Sequence, residues 1–443
     1  MSMKHSPQLF HGEWWVPAVK DHDVPMFVFH PEQMMGHEKK YTGTLTYYED
    51  EDSTLELYHV PSNYRSKQYC QNEVMWGADA NGNIFTLFDI EMKENLTGDF
   101  TTTKFEVGLI LVGEHILSLD DAQFNRCVVH FTYLRNWAFR NNLTIEIEGD
   151  CLHHVLAKPS MGDALLKAQV ENDVNWILFD DIAQNKTRYD LSISQGTNFV
   201  VESSEDASIR SYMNHIVEFS QFLSIALYCE QNPSAVSFYN KLTNHSSFLL
   251  FEKGDSTKPK SSSLIKFKEL KDKIPAMFRA WHENFTNVSP ISKYLVDSLR
   301  KTKTFDAPDF LIIAQALDGY HKRFVNQKNG GKDHRKYEDG IKILLKQFKD
   351  VDYVKECHID PIVLRDSRDK YSHLLPDDEK KQAVAGEDLY WLTEKCKILL
   401  TCCILNMMGL SNEEINICFR CSPIQEFIVS HMFDFYYGTG KGL

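Results

Sequence analysis

The segment DPIVLRDSRDKYSHLLPDD, residues 360–378, carries the side chains in this chain best suited to chemistry on a phosphodiester. Arg368 and His373 form an R-x4-H pair, with Asp369 directly after the arginine and Ser372 directly before the histidine. An imidazole changes charge near neutral pH and serves as an acid or a base. A guanidinium grips two non-bridging phosphate oxygens in a fork, which an ammonium does not do. RNA brings its own nucleophile, the 2′-hydroxyl, so one acid/base group and one fixed cation go far toward its cleavage.

Asp360 is a good N-cap, Pro361 suits the first helical turn and Pro376 cannot continue a helix, so the spacing predicts a helix over 361–375. Around that helix Arg368, Ser372, Arg365, Asp369 and His373 share one polar arc. Val363, Leu374, Tyr371, Leu364 and Leu375 lie opposite, with Ser367 as the single polar intruder. Asp369 stands one turn before His373 and is placed to orient its ring. Ser372, one turn after Arg368, is placed to position the guanidinium or a phosphate oxygen. Arg365 completes the cationic arc and Lys370 adds a charge beside it. Five residues put Arg368 and His373 roughly 140° apart on a straight helix, so two copies meeting across a symmetry axis would build a better site than one. The plain alternative is a solvated face laced by Arg365–Asp369 pairs.

A second basic stretch, residues 321–349, contains Arg335 and Lys336 and reads either as a groove for an RNA backbone or as a solvated helical hairpin. Other clusters carry less. Cys418 and Cys421, with Cys402, Cys403 and His431, lack the second pair a structural zinc site wants and read as reduced, buried thiols. His153-His154 beside Cys151, and Asp180-Asp181, lack a third ligand at useful spacing. The terminal GTGKGL lacks the full phosphate-loop pattern. No metal or cofactor is therefore expected. Trp14 and Trp15 fit either a recognition pocket or a core.

The 443 residues allow two or three domains, and 43% hydrophobic content is ample for real cores. The net charge of −14 hides a split: residues 1–255 hold 18 Lys and Arg against 36 Asp and Glu, while residues 256–443 hold 30 against 26. The switch falls at the small, polar run KGDSTKPKSSS, residues 253–263, which reads as a linker. Upstream, alternating segments predict a β-rich sandwich or barrel-like domain over 1–255. They include a hairpin around the acidic turn at 49–53, separate strands YDLSISQG and TNFVVESS, and one helix over about 206–229. Downstream, apolar residues at three- and four-residue spacing predict an all-α helical bundle over 256–443, so the fold class is α+β with two domains. The opening residues lack the apolar core of a signal peptide, and the longest apolar run, 398–410, is too short to span a bilayer. The scattered cysteines suit a reducing compartment, so a cytoplasmic protein with no membrane partner is expected.

The R-x4-H pair on an amphipathic helix of an all-α domain resembles the signature of the HEPN superfamily of helical-bundle ribonucleases. A mostly β half opening with FHGEWWVP ahead of such a bundle is similar in layout to the ApeA-type anti-phage proteins. The resemblance implies a homodimer in which two motif helices face each other, and metal-independent cleavage of RNA, tRNA included, that leaves a 2′,3′-cyclic phosphate. Catalysis would fall to Arg368 and His373 with Asp369 and Ser372, and RNA contacts to Arg365, Lys370, Arg335 and Lys336. It also implies abortive-infection defence, with an N-terminal domain that senses a phage-derived trigger. A glycine common after the family's histidine is replaced here by Leu374-Leu375-Pro376. The alternative is a non-catalytic interaction or nucleotide-binding protein dimerised through its bundle.

Overall fold

A computed structural model describes residues 6–17, 40–59, 74–96, 102–139, 143–147, 155–159, 164–186, 191–241, 243–259, 262–300, 307–326, 336–376, 379 and 382–431. In chain order the first elements are β1 (Gln8–Trp15), β2 (Tyr41–Tyr47), β3 (Ser53–Tyr58), β4 (Met75–Asp79), β5 (Ile84–Leu96), β6 (Thr102–Val112) and β7 (Gln123–Phe131). Then come α1 (Leu134–Trp137), β8 (Leu143–Ile147), β9 (Val155–Pro159), β10 (Leu166–Gln169), β11 (Val174–Lys186), β12 (Leu191–Ser208), α2 (Ile209–Leu227), β13 (Pro233–Asn240) and β14 (His245–Phe251). The helical part holds α3 (Phe267–Leu270), α4 (Ile274–Arg300), α5 (Ala307–Tyr320), α6 (Tyr337–Gln347), α7 (Asp352–Cys357), α8 (Pro361–His373), α9 (Gly386–Met407), α10 (Asn412–Phe419) and α11 (Pro423–Ser430). Two compact units divide these elements: Met1–Phe131, Phe199–His215 and Asn232–Gly254, and Thr132–Asn198, Ile216–Gln231 and Asp255–Leu443.

The first unit is built on a closed six-stranded antiparallel barrel. Its strands follow the order β6-β3-β2-β1-β4-β5, and β5 returns to pair with β6. Strict alternation drives the closure: Leu45 pairs with Leu55 and Leu55 with Phe105, so each strand sends every second residue inward. Trp14, Leu45, Leu55, Phe85, Leu87 and Val107 fill the interior. Gly77 on β4 is required there, because a Cβ would stand 2.1 Å from the Trp14 ring. Trp14 and Trp15 are thus buried core residues rather than pocket walls. The predicted hairpin around the acidic turn is β2–β3. On the other side of β6, β14, β13 and β7 continue the sheet. YDLSISQG and TNFVVESS, expected as two strands, lie from Leu191 onward in the single strand β12, because Gly196 stays extended and makes no turn, while Tyr189 and Asp190 lie outside the described residues.

The second unit is helical, with two hairpins, β8–β9 and β10–β11, lying in the chain between α1 and its longer helices. Trp137, Trp176, Phe219, Phe222 and Phe278 interlock edge to face, with ring centroids 4.9 Å apart for Phe222 and Phe278. The Trp137 indole N–H donates to the Ile265 carbonyl at 2.9 Å and the Trp281 N–H to Glu218 at 2.9 Å, so the buried polar edges are satisfied. The longest helix, α4, runs through Pro290 without a break. The apolar run 398–410 is explained by α9, whose Leu399, Cys402, Cys403 and Leu405 are fully buried. Among the described residues no helix is long and apolar enough to cross a membrane. A Ser411/Glu414 capping box opens α10.

Candidate functional site

The candidate site lies on α8, and its start is specified locally. The Asp360 side chain accepts a hydrogen bond from the Ile362 N–H at 2.8 Å and Pro361 occupies the first turn. The helix ends at His373, two residues earlier than the proline alone predicts, because Leu374 turns left-handed at φ 51° and its N–H returns to the Lys370 carbonyl. Glycine ordinarily fills such a position. Leu374 is 88% exposed.

Within α8, Leu364, Asp366 and Ser367 are the buried residues, so one face is anchored by two polar side chains as well as by a leucine. Ser367, the polar intruder on the apolar face, accepts a hydrogen bond from the Val384 N–H at 3.0 Å. One turn later the Tyr371 hydroxyl donates to the Val384 carbonyl at 3.0 Å. Both backbone groups of Val384 are therefore held by α8, which pins the return of the chain after the motif. Tyr371 also packs edge to face on Phe310 of α5.

The cations differ sharply in how far they are used. Arg365 donates through Nε and Nη2 to Asp366 at 2.9 and 2.7 Å and through Nη1 to Glu338 of α6 at 2.6 Å. Glu338 also accepts from Lys342, and that hydrogen bond, ahead of Arg365, holds its carboxyl below the usual range. Arg365 is thus neutralised by two carboxylates and ties α8 to α6; this clamp stands in place of the Arg365–Asp369 pairing of the alternative reading. Arg368 has a lighter hold: Nη1 donates to Asp369 at 3.2 Å, and the guanidinium lies 5.0 Å from the centre of the Tyr337 ring. Its remaining N–H groups have no partner among the described residues. The Tyr337 phenol donates to the Ala314 carbonyl at 3.2 Å, and burial pushes its pKa well up, which keeps the ring a neutral platform for the arginine.

His373 occupies the last turn of α8, is exposed, and has no hydrogen-bond partner among the described residues. Asp369, read as the group that orients the ring, is engaged by Arg368. Ser372 is exposed and its hydroxyl donates to the Asp369 carbonyl at 3.4 Å, away from the Arg368 guanidinium. The Lys370 ammonium lies 5.5 Å from the centre of the Tyr371 ring. Lys336 is the exposed N-cap of α6, and Arg335 lies outside the described residues. The structure therefore brings Arg365, Arg368 and Lys336 to the junction of α8 with the start of α6, and leaves His373 at the open end of α8.

Elsewhere in the 321–349 stretch Lys322 pairs with Asp318 at 2.7 Å, and Arg323 donates to the Asn287 carbonyl at 2.8 Å. Cys402, Cys403 and Cys418 are buried free thiols and Cys421 is exposed. Asp180 is linked to Thr197 at 3.4 Å, while His153-His154 and the terminal GTGKGL lie outside the described residues. Sequence reasoning missed Glu338, Tyr337, Asp366 and Val384. A serine on an apolar stripe was the one signal that pointed to a specific partner.

Two family models match the chain. That described as ApeA N-terminal domain 1 covers residues 9–281, and that described as Apea-like HEPN covers residues 311–414, which include the whole of α8. No curated protein and no solved structure matches.

Proposed function

The chain belongs to the ApeA family and carries an ApeA-like HEPN domain, and on that premise we propose that it is a metal-independent endoribonuclease of anti-phage defence, centred on Arg368 and His373. One observation carries the assignment: in a helix whose other polar groups are paired off, Arg368 keeps unused donors and His373 stands exposed at the helix end.

In the reaction, His373 takes the proton from a ribose 2′-hydroxyl while the 2′-oxygen attacks the adjacent phosphorus. The bond from phosphorus to the 5′-oxygen breaks, and an imidazolium returns a proton to that oxygen. The products are a 2′,3′-cyclic phosphate and a 5′-hydroxyl. Arg368 holds the non-bridging oxygens as their charge grows, and its seat on the Tyr337 ring fixes the direction of its fork. Acid and base roles fall to the two histidines of a homodimer, since a single helix presents its arginine and histidine in different directions. The exposed Leu374 next to His373 supports this arrangement, because a twofold contact at the helix ends would cover it. Lys370, Lys336, Arg335 and Arg365 lend positive potential for the RNA backbone, with Arg365 acting mainly through the clamp to Glu338. Residues 1–255 are the sensing part, responsive to a phage-derived trigger, and residues 256–443 the effector.

The test is cleavage of total RNA or tRNA in excess EDTA by the wild type and by Arg368→Lys. The lysine keeps the charge and loses the fork, so a loss of about 10²-fold or more is expected. Equal rates would remove Arg368 from the reaction.

A further inference from the structure

Outside the HEPN site, the first unit contains a cavity of about 570 Å³ walled by Arg126 on β7, Tyr239 on β13, Ser246 and His245 on β14, and Lys241 and Asn244 in the turn between the last two strands. Strand register builds its floor. Arg126 pairs with Tyr239 and Tyr239 with Ser246, so the three form one row across three strands and point to one face. Cys127, Val129 and Phe238 point to the other face and are fully buried, which fixes the row in place.

The turn is held at both ends: the Lys241 N–H donates to the Asn125 side chain at 3.2 Å and the Thr243 N–H to the Asn240 side chain at 3.2 Å. Asn244 takes the left-handed conformation at φ 53°. The wall is therefore preorganised.

Its charges are unbalanced in one direction. Lys241 is paired with Glu202 at 2.6 Å, and His245 is bonded to Ser247 at 3.1 Å with Glu114 at 3.9 Å. Arg126 has no ion pair and no side-chain hydrogen bond among the described residues, and its Nε is shut off from solvent without a partner. A guanidinium does not shed its proton, so the charge of Arg126 stands unmatched at the cavity wall until an anion meets its outer nitrogens. That such a cation survives where residues 1–255 carry 36 acidic against 18 basic groups sharpens the point.

We propose that this cavity binds a phosphate-bearing small molecule of nucleotide size, with Arg126 as the phosphate-binding residue and Asn244, Ser246 and Tyr239 as polar contacts. The volume lies within the range of small-molecule sites, and phosphate oxygens match the fork that Arg126 leaves unfilled. The assignment goes beyond the nuclease reading and gives the sensing part a chemical input of its own.

Isothermal titration of the full chain with ATP, inorganic pyrophosphate and adenosine tests it without reference to cleavage, so it stands or falls separately from the nuclease assignment. ATP and pyrophosphate are expected to bind saturably and adenosine not to bind. Arg126→Gln should weaken ATP at least about tenfold, as loss of a charge-assisted pair does. Asn244→Asp, an exposed change outside the core, should weaken it several-fold by repulsion, and His373→Ala should bind as the wild type does. Absence of saturable ATP binding, undiminished binding by Arg126→Gln, or equal binding of adenosine and ATP would each overturn the assignment.

Discussion

At the scale of single residues, α8 separates side chains that hold the helix from side chains left over for chemistry. Arg365 and Arg368 look equivalent in the sequence, three positions apart on one arc. In the fold one is closed by two carboxylates and the other by one. Nothing local forecasts that, because Glu338 arrives from another helix. Leu374 was legible as a departure from the glycine expected after the histidine, and its left-handed backbone is the physical consequence. Relief of that backbone is worth about 1–2 kcal/mol, against about 0.4–1 kcal/mol lost to the freer unfolded chain. Leu374→Gly should therefore raise stability by up to about 1.5 kcal/mol in urea unfolding, and a loss would mean that the cap is held by contacts of the leucine itself.

At the scale of elements, α8 was readable from its N-cap and its first-turn proline, but its neighbours were not. The N-cap aspartate and the proline in the first turn are local signals and both appear in the structure, whereas of the expected apolar stripe only Leu364 is fully buried and Leu374 is 88% exposed. The clamp of Val384 between Ser367 and Tyr371 joins residues that local patterning cannot connect. Removing either hydroxyl leaves a backbone group of Val384 unpaired. Ser367→Ala and Tyr371→Phe should each cost about 1 kcal/mol, and hydrogen exchange should show faster opening at residues 383–385 with α9 unaffected. Unchanged exchange there would show that the segment is held by other means. The barrel was legible as alternating strands, whereas its closure depends on β5 meeting β6 along most of its length, a pairing no single strand announces. The merger of two expected strands into β12 has a simpler cause: a glycine permits a turn but does not impose one.

At the scale of the whole molecule, charge and period marked a β-rich half and a helical half, and the family matches agree with that layout. The sequence did not reveal that the compact units interleave along the chain. In the helical unit, His282 of α4 joins distant segments: Nδ1 meets Glu218 of α2 at 2.6 Å and Nε2 meets Glu171, after β10, at 2.8 Å. The hydrogen bond to Glu218, against the opposing effect of burial, raises the histidine pKa above its usual 6.5. A raised histidine stabilises the fold fully below 6.5, and that contribution is lost as pH rises through the folded value. The melting temperature should accordingly fall as pH climbs above 6.5, and His282→Asn should abolish that slope while leaving the acid limb unchanged. A variant with the wild-type slope would place the titration elsewhere.

The most direct test of the central claim is the chemistry of the RNA ends found in cells that express the protein. RNA from cells carrying the wild type should contain new fragments ending in 2′,3′-cyclic phosphate with matching 5′-hydroxyls, and RNA from cells carrying His373→Ala at equal abundance should lack them. Fragments ending in 3′-hydroxyl, or the same fragments from the His373→Ala chain, would contradict a nuclease centred on α8.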